Sequence, residues 1–391
     1  MVRMRYGIAA LGIAVLGIAA AGCGQPPMLE TLAPDQTCRR TVAVGTAAEM
    51  VAPANGETRE PEIADEVGDR DGAAVAVETE WLTPRDDLER GQLNAWCAAA
   101  GPAVAGGWPD ASTEPVDSLA IVSWNVHIGG GDLERLVRDL REGRLTGQPV
   151  RHFALLLQEA HRTGDLVPEW QDGFPFGSGD PLTPPGGPAR DVVEHAQAMG
   201  LAVFYAPSMR SGQGAGGAAS DRGNAILSTL PMAAFRAIEL PVARQRRVAA
   251  VAMVRGMTST GEEWELEVAS AHLENDARGW ANDARARVLQ AEALLEGLSD
   301  DGPAVVAGDF NSWTLGPDEA VVHTMLDEFE ETPPFPPGPT YVRGFGFVRR
   351  YLDYMFFRLP DDDARVRYRR LDDLYNSDHY PLMGWVVFPR D

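Results

Sequence analysis

The run "AVVAGDFN" (304–311) leads from four small or apolar residues to Asp309 and Asn311, with Phe310 between them. Side chains alternate along a strand, so the carboxylate and the amide can share a direction while Phe310 returns to the core. A buried strand does not leave such groups without a use. The arrangement recurs. "IVSWN" ends on Asn125, "LLLQE" ends on Glu159, and "VASAHLEN" carries His272 near its end. "YNSDHYPL" puts Asp378 and His379 in the turn before the last strand. Singly, each has a structural explanation as a turn cap, a solvated strand end or a core histidine. Five together point to a site, because α/β folds gather their chemistry where strands end.

Asn125, Glu159, Asp309, Asn311 and Asp378 offer hard oxygen donors and no thiolate, a set that suits Mg²⁺, with Mn²⁺ or Ca²⁺ as alternatives, rather than zinc. Two histidines beside such an ion can supply a base for water and a donor for a leaving oxygen. That combination suits phosphoester hydrolysis. No GxSxG, Walker loop or dinucleotide fingerprint competes with it.

These residues need strands to carry them. Strands are expected at 118–125, 153–159, 201–206, 224–228, 247–254, 266–273, 304–310, 352–357, 365–371 and 382–388. Helices are expected at 282–298, 132–141, 189–199 and 317–329. Gly/Pro-rich insertions at 173–188 and 211–222 suit mobile rim loops. In "ARQRRV" (243–248) the arginines could face a phosphate, but charged strand-edge residues are the plainer reading. Asn224 reads as a strand-start residue only.

Ahead of this region, Arg3 and Arg5 precede an apolar run that ends in "AAGC", shaped like an export signal with a lipoprotein-type cleavage site before Cys23. Residues 1–22 are thus expected to be a signal peptide and Cys23 a lipidated first residue, although Ala20 departs from the usual leucine. Residues 23–80 read as a flexible spacer, with nine acids against two arginines in 57–80. Residues 81–117 read as a docking segment and linker, and 118–391 as the catalytic domain. Cys38 and Cys97, in an oxidising compartment, are expected to pair. The expected location is the cell envelope or outer membrane, facing periplasm or exterior.

The series "SWN", "LLLQE", "GNAILS", "AHLEN", "GDFN", "RYLDYMFF" and "SDHYPL", in that order across about 118–388, resembles the endonuclease/exonuclease/phosphatase superfamily with its deoxyribonuclease-like fold. The resemblance implies an α/β (α+β) fold, a four-layer sandwich of two packed mixed β-sheets flanked by helices, here with an N-terminal extension. It implies Glu159 as principal metal ligand, with Asn125 beside it and Asp378 near the metal. It implies that Asp309 orients or deprotonates the attacking water and that Asn311 holds a phosphate oxygen. His379 becomes base or transition-state donor, held in its tautomer by Asp353, and His272 sits opposite as donor to phosphate or leaving group. "AHLEN" departs from the abasic-site nucleases, and "RRYLDY" departs from the "WCDR" strand of inositol polyphosphate phosphatases.

The net charge of −23 argues against broad nucleic-acid binding. All 34 basic residues are arginine, so no lysine is available as a phosphate cradle. The expected function is an exported, divalent-metal-dependent phosphodiesterase or phosphatase acting on a lipid or small-molecule phosphoester, as a monomer. The alternatives are a secreted nuclease, disfavoured by the charge, and a non-catalytic surface lipoprotein on the same scaffold.

Overall fold

The structure, a computed structural model, describes residues 27–34, 36–45, 77–109, 114–169, 171, 174–175, 190–211, 219–275, 280–299, 302–344, 346–359 and 365–388. The expected signal peptide, Cys23 and most of the acidic spacer and rim loops lie outside the described residues.

The N-terminal part forms β1 (Leu29–Thr31), β2 (Thr41–Gly45), β3 (Glu80–Pro84), α1 (Asp87–Ala99) and β4 (Ala103–Gly107). Then come β5 (Ser118–Asn125), α2 (Leu133–Arg141), β6 (Phe153–Thr163), α3 (Val192–Met199), β7 (Ala202–Arg210) and β8 (Ser220–Ser228). They are followed by β9 (Met232–Leu240), β10 (Arg247–Met257), β11 (Glu263–His272), α4 (Trp280–Glu296), β12 (Ala304–Asp309) and α5 (Ala320–Leu326). The chain closes with β13 (Tyr341–Arg343), β14 (Val348–Arg350), β15 (Asp353–Arg358), β16 (Arg365–Arg370) and β17 (Leu382–Val387).

Two mixed sheets result. One runs β1-β3-β9-β10-β11-β12-β15 and the other β16-β17-β5-β6-β8-β7-β4-β2, while β13 and β14 pair as a separate hairpin. Their facing sides bury Leu119, Ile121, Leu156, Ile226, Val268, Val305 and Phe357 in one core. The strands have apolar residues on both faces, so each sheet also needs an outer cover. Leu136, Val137 and Leu140 of α2, with Val192 and Ala196 of α3, cover the eight-stranded sheet. Ala291 and Leu294 of α4 and Val321, Val322 and Met325 of α5 cover the other. That makes four layers.

Local chemistry sets the helix ends. Asp132 accepts from Arg135 N at the start of α2, and Asp191 accepts from Val193 N and Glu194 N at the start of α3. Gly200 ends α3 in the left-handed region, φ 65°. Among the described residues, no helix is long and apolar enough to cross a membrane.

The N-terminal region departs from the expected spacer. Residues 29–31 and 41–45 are strands of the two sheets, β1 pairing with β3 and β2 with β4. Residues 81–107 do more than dock, since β3 pairs with β9 and β4 with β7. Three- to five-residue edge strands are too short to carry a periodic signal, and tertiary pairing decides them. A disulfide joins Cys38 to Cys97 with Cα atoms 5.1 Å apart. The expected loop 211–222 ends earlier than read, because Ser220 already begins β8. Helix α4 starts at Trp280, two residues ahead of the expected start.

Candidate active site

The site lies at the ends of β5, β6, β11 and β12. Parallel β11 and β12 put His272 beside Asp309, and antiparallel β12 and β15 put Asp309 beside Asp353. Three residues read from three separate motifs are therefore neighbours across three adjacent strands. Close approach requires Gly308: a Cβ there would lie 1.8 Å from Ala271 O. Asn125 reaches the same point from the other sheet, its Nδ2 donating to Asp309 Oδ2 at 3.1 Å.

His379 arrives on the turn before β17. That turn is tied to the end of β5: Trp124 Nε1 donates to His379 O, and Ser377 Oγ donates to Asn125 O while accepting from His379 N. His379 Nδ1 lies 2.8 and 3.1 Å from the Asp353 oxygens. This leaves Nε2 facing Asp309 Oδ2 at 3.7 Å and Asp378 Oδ1 at 3.9 Å. His272 Nε2 lies 3.6 Å from the same Asp309 oxygen. Asp309 Oδ2 is thus ringed by one amide at hydrogen-bond distance and two imidazoles just beyond it.

The two histidines have opposite electrostatics. Burial, Arg247, His379 and Arg222 hold the His272 pKa well below its ordinary value, so the ring stays neutral. Burial also works against charge on His379, but Asp353 and Asp309 outweigh it and raise its pKa to about 10. Asp309 is pushed up to about 7, by burial first and then by Asp353, with His379 opposing. Titratable groups driven apart in this way are the pattern of paired acid and base.

Glu159 sits on a bulge of β6, where two residues oppose one between the pairs Leu157–Ala225 and Ala160–Gly223. Its φ of 54° is a strained left-handed conformation for a residue with a side chain. Among the described residues, its carboxylate takes no hydrogen bond or ion pair. A strained, unpaired carboxylate next to buried acids fits a role as cation ligand. Asp309, Asp353 and His379 also present ligand atoms within 4.8 Å of one another. His379 Nδ1 is already engaged with Asp353, however, so this trio is better described as a hydrogen-bonded dyad beside a carboxylate. Asp378 is engaged by His127, whose Nδ1 lies 2.9 Å from Asp378 Oδ1. Burial opposes charge on His127, but Asp378 raises its pKa, and Glu159 adds to the effect. Asp378 and His127 line a cleft of about 1060 Å³ together with Arg135, Arg343 and Tyr380, and Glu159 acts on it through His127.

Asn311 is placed differently from the expected phosphate clamp. It is buried with φ 51°, its Nδ2 donates to Leu273 O, and its Oδ1 accepts from Trp313 Nε1. Its backbone N donates to Asp309 Oδ1 at 3.0 Å. In this arrangement Asn311 shapes the loop and orients Asp309.

The sequence reading missed His127, two residues past Asn125, and undervalued Arg247. Arg247 is not a strand-edge charge: it is buried, its Nε has no partner, and its pKa is lowered first by burial while Glu274, Glu159 and Asp309 act to raise it. The neighbouring Arg246 is structural, paired to buried Glu239 and donating to Cys97 Sγ. Asn224 lies within β8, buried, and donates to Val248 O at 2.7 Å. An unbroken "RQRR" gives no signal to separate the structural arginine from the one facing the site.

The model of the Endonuclease/Exonuclease/phosphatase family matches residues 122–379, from the middle of β5 to His379. The chain belongs to this family. Its members hydrolyse phosphoesters. The chain is similar in structure to an endonuclease/exonuclease/phosphatase from Beutenbergia cavernae DSM 12333, at 18% identity and TM-score 0.47, covering 70% of this chain and 72% of that one. It is also similar to a family protein from Leptotrichia buccalis C-1013-b, at 14% identity and TM-score 0.44, covering 70% and 100%. Beta toxin from Staphylococcus aureus with bound magnesium ions aligns at 12% identity and TM-score 0.39, covering 69% and 99%. No curated protein matches the chain.

Proposed function

We propose that the protein is an exported, divalent-metal-dependent phosphodiesterase or phosphatase acting on a lipid or small-molecule phosphoester. Mg²⁺ suits the oxygen donors, with Mn²⁺ or Ca²⁺ as substitutes, and Glu159 would hold the ion with Asn125 and Asp378 beside it. When bound, the ion polarises the phosphoryl oxygen as a Lewis acid. The reading includes a monomer carried to the cell envelope as a lipoprotein and attached through Cys23.

One observation carries the reading: Asp309 Oδ2 stands 3.6 and 3.7 Å from two imidazoles held in opposite protonation states. Those gaps suit bridging by a substrate or water oxygen. Asp309 orients the attacking water and draws off its proton. His379, charged and locked by Asp353, presents Nε2–H to the phosphoryl oxygen as negative charge builds. Neutral His272 faces it and serves the leaving oxygen. Arg247, desolvated and with Nε unpaired, supplies fixed positive charge to the phosphoryl group.

The test is hydrolysis of sphingomyelin, phosphoinositides, a chromogenic diester and plasmid DNA, with chelator and with added Mg²⁺. Activity should vanish in chelator and return with metal. Glu159→Gln should raise the Mg²⁺ needed, and Asp309→Ala should lose roughly a hundredfold or more in turnover. Full activity in chelator would overturn metal dependence. Plasmid nicking that outpaces every other substrate at low salt would replace this reading with a nuclease.

A further inference from the structure

We propose that the β13–β14 hairpin and the loop at 313–315 form a rim that seats the mouth of the site on an anionic lipid bilayer. The inference rests on the reading of the protein as a hydrolase of lipid phosphoesters and names the surface on which that substrate is met.

Scattered exposed apolar residues are ordinary, but here the two most exposed large ones share one rim. Among the described residues, Phe347 is 91% exposed and Leu315 is 60% exposed, and Val348 beside Phe347 is exposed as well. The loop and the hairpin are joined. The Trp313 and Tyr341 rings lie 5.2 Å apart, and Ser312 Oγ donates to Tyr351 O at 2.7 Å. The rim also reaches the chemistry: the Tyr341 ring lies 4.9 Å from that of His379, and Arg343 lines the same cleft as His127 and Asp378.

Charge selects the occupant. A chain of net charge −23 is repelled by an anionic surface unless a local cationic face leads the approach. The hairpin provides one. Arg343, Arg349 and Arg350 are exposed on it, and none has a carboxylate partner among the described residues. A phenylalanine at the tip of a short hairpin, flanked by arginines, matches an interface where apolar chains lie under anionic headgroups. A soluble phosphoester would need no such rim.

The test is hydrogen–deuterium exchange of the full chain with phosphatidylcholine–phosphatidylglycerol vesicles and with pure phosphatidylcholine vesicles. It is read peptide by peptide, so that attachment through the N-terminus does not enter. Exchange at 312–316 and 341–351 should slow on the anionic vesicles only. Phe347→Ser with Leu315→Ser should abolish that slowing and lower vesicle-bound protein on the order of tenfold. Arg349→Glu with Arg350→Glu should do the same, and both variants should hydrolyse a soluble chromogenic diester at the unaltered rate. Absence of slowing at the rim, or equal slowing on pure phosphatidylcholine, would overturn the proposal. Slowing at the rim in a protein that hydrolyses no phosphoester would uphold the rim and overturn the proposed function.

Discussion

Replacing Asp353 with asparagine isolates the contribution of the dyad from that of the fold. The side chains are nearly isosteric, and the backbone N of Asp353 keeps its bond to Thr340 Oγ1 at 3.0 Å. Only the charge behind His379 Nδ1 is removed, at contacts of 2.8 and 3.1 Å in a pair that is almost fully buried. A hydrogen bond to a charged group is worth about 1.5–3 kcal/mol. At about 1.4 kcal/mol per tenfold, the loss in kcat should be roughly 12- to 140-fold if the full interaction is used in the transition state. KM should move little, because Asp353 reaches substrate only through His379. The assay is steady-state hydrolysis of a soluble chromogenic diester, paired with nitrogen-15 NMR of the imidazole to locate its protons. Neutralising Asp353 also takes the partner from a buried imidazole whose pKa it raises to about 10, so the variant should melt lower than the native protein, and kcat is read at a temperature where it is still folded. An unchanged kcat with the Nδ1 proton still in place would refute the positioning role. A loss of kcat accompanied by unfolding would refute the claim that the effect is chemical.

Three further outcomes concern stability. Asp221→Asn should cost about 3–5 kcal/mol in urea denaturation, because buried Asp221 pairs with buried Arg162 and also accepts from Tyr205 OH and Gly101 N. Reducing the Cys38–Cys97 disulfide, which spans 59 residues, should remove up to about 4 kcal/mol in the chain-entropy model, seen as a lower melting temperature in reductant. His195 is buried with Nε2 unpartnered, and burial lowers its pKa although Glu134 opposes. The unfolded chain then binds the extra proton, so stability should fall as pH drops below the ordinary histidine range. His195→Asn should lessen the fall in melting temperature between about pH 7 and pH 5, and an unchanged slope would refute this.

Much of the central fold was legible because its strands are long and apolar on both faces. The run 118–125 is recovered at both ends as β5, and 304–310 matches β12 to within one residue. The strand β9 was not legible: "MAAFRAIEL" carries five weak or charged strand formers, and pairing with β3 and β10 makes it a strand. The polar residues at strand ends could be read as a set, since each interrupts an apolar run. Their mutual roles could not. That Asn311 turns inward to Leu273, that Asp378 is engaged by His127 and that Arg247 is desolvated while Arg246 is paired are facts of tertiary placement. No spacing along the chain encodes them.

The register of β11, β12 and β15 shows why this chemistry can survive inside a core. Two carboxylates and an imidazole side by side on adjacent strands would be costly in isolation, because each charged group has lost its water. Here the cost is spread. Asp353 is held by His379, and Asp309 by Asn125 and the Asn311 backbone. His272 avoids charge altogether. What remains without a partner lies at the open end of the sheets, Glu159 on its strained bulge and Arg247 with an unpaired nitrogen, beside Asp309 with its raised pKa. Glu159 and Asp309 both act electrostatically on Arg247, and the three carry both signs of charge, the inventory that a cation and a phosphoryl group together would satisfy. The core can keep its polar strand ends because its unsatisfied groups complement a ligand rather than one another.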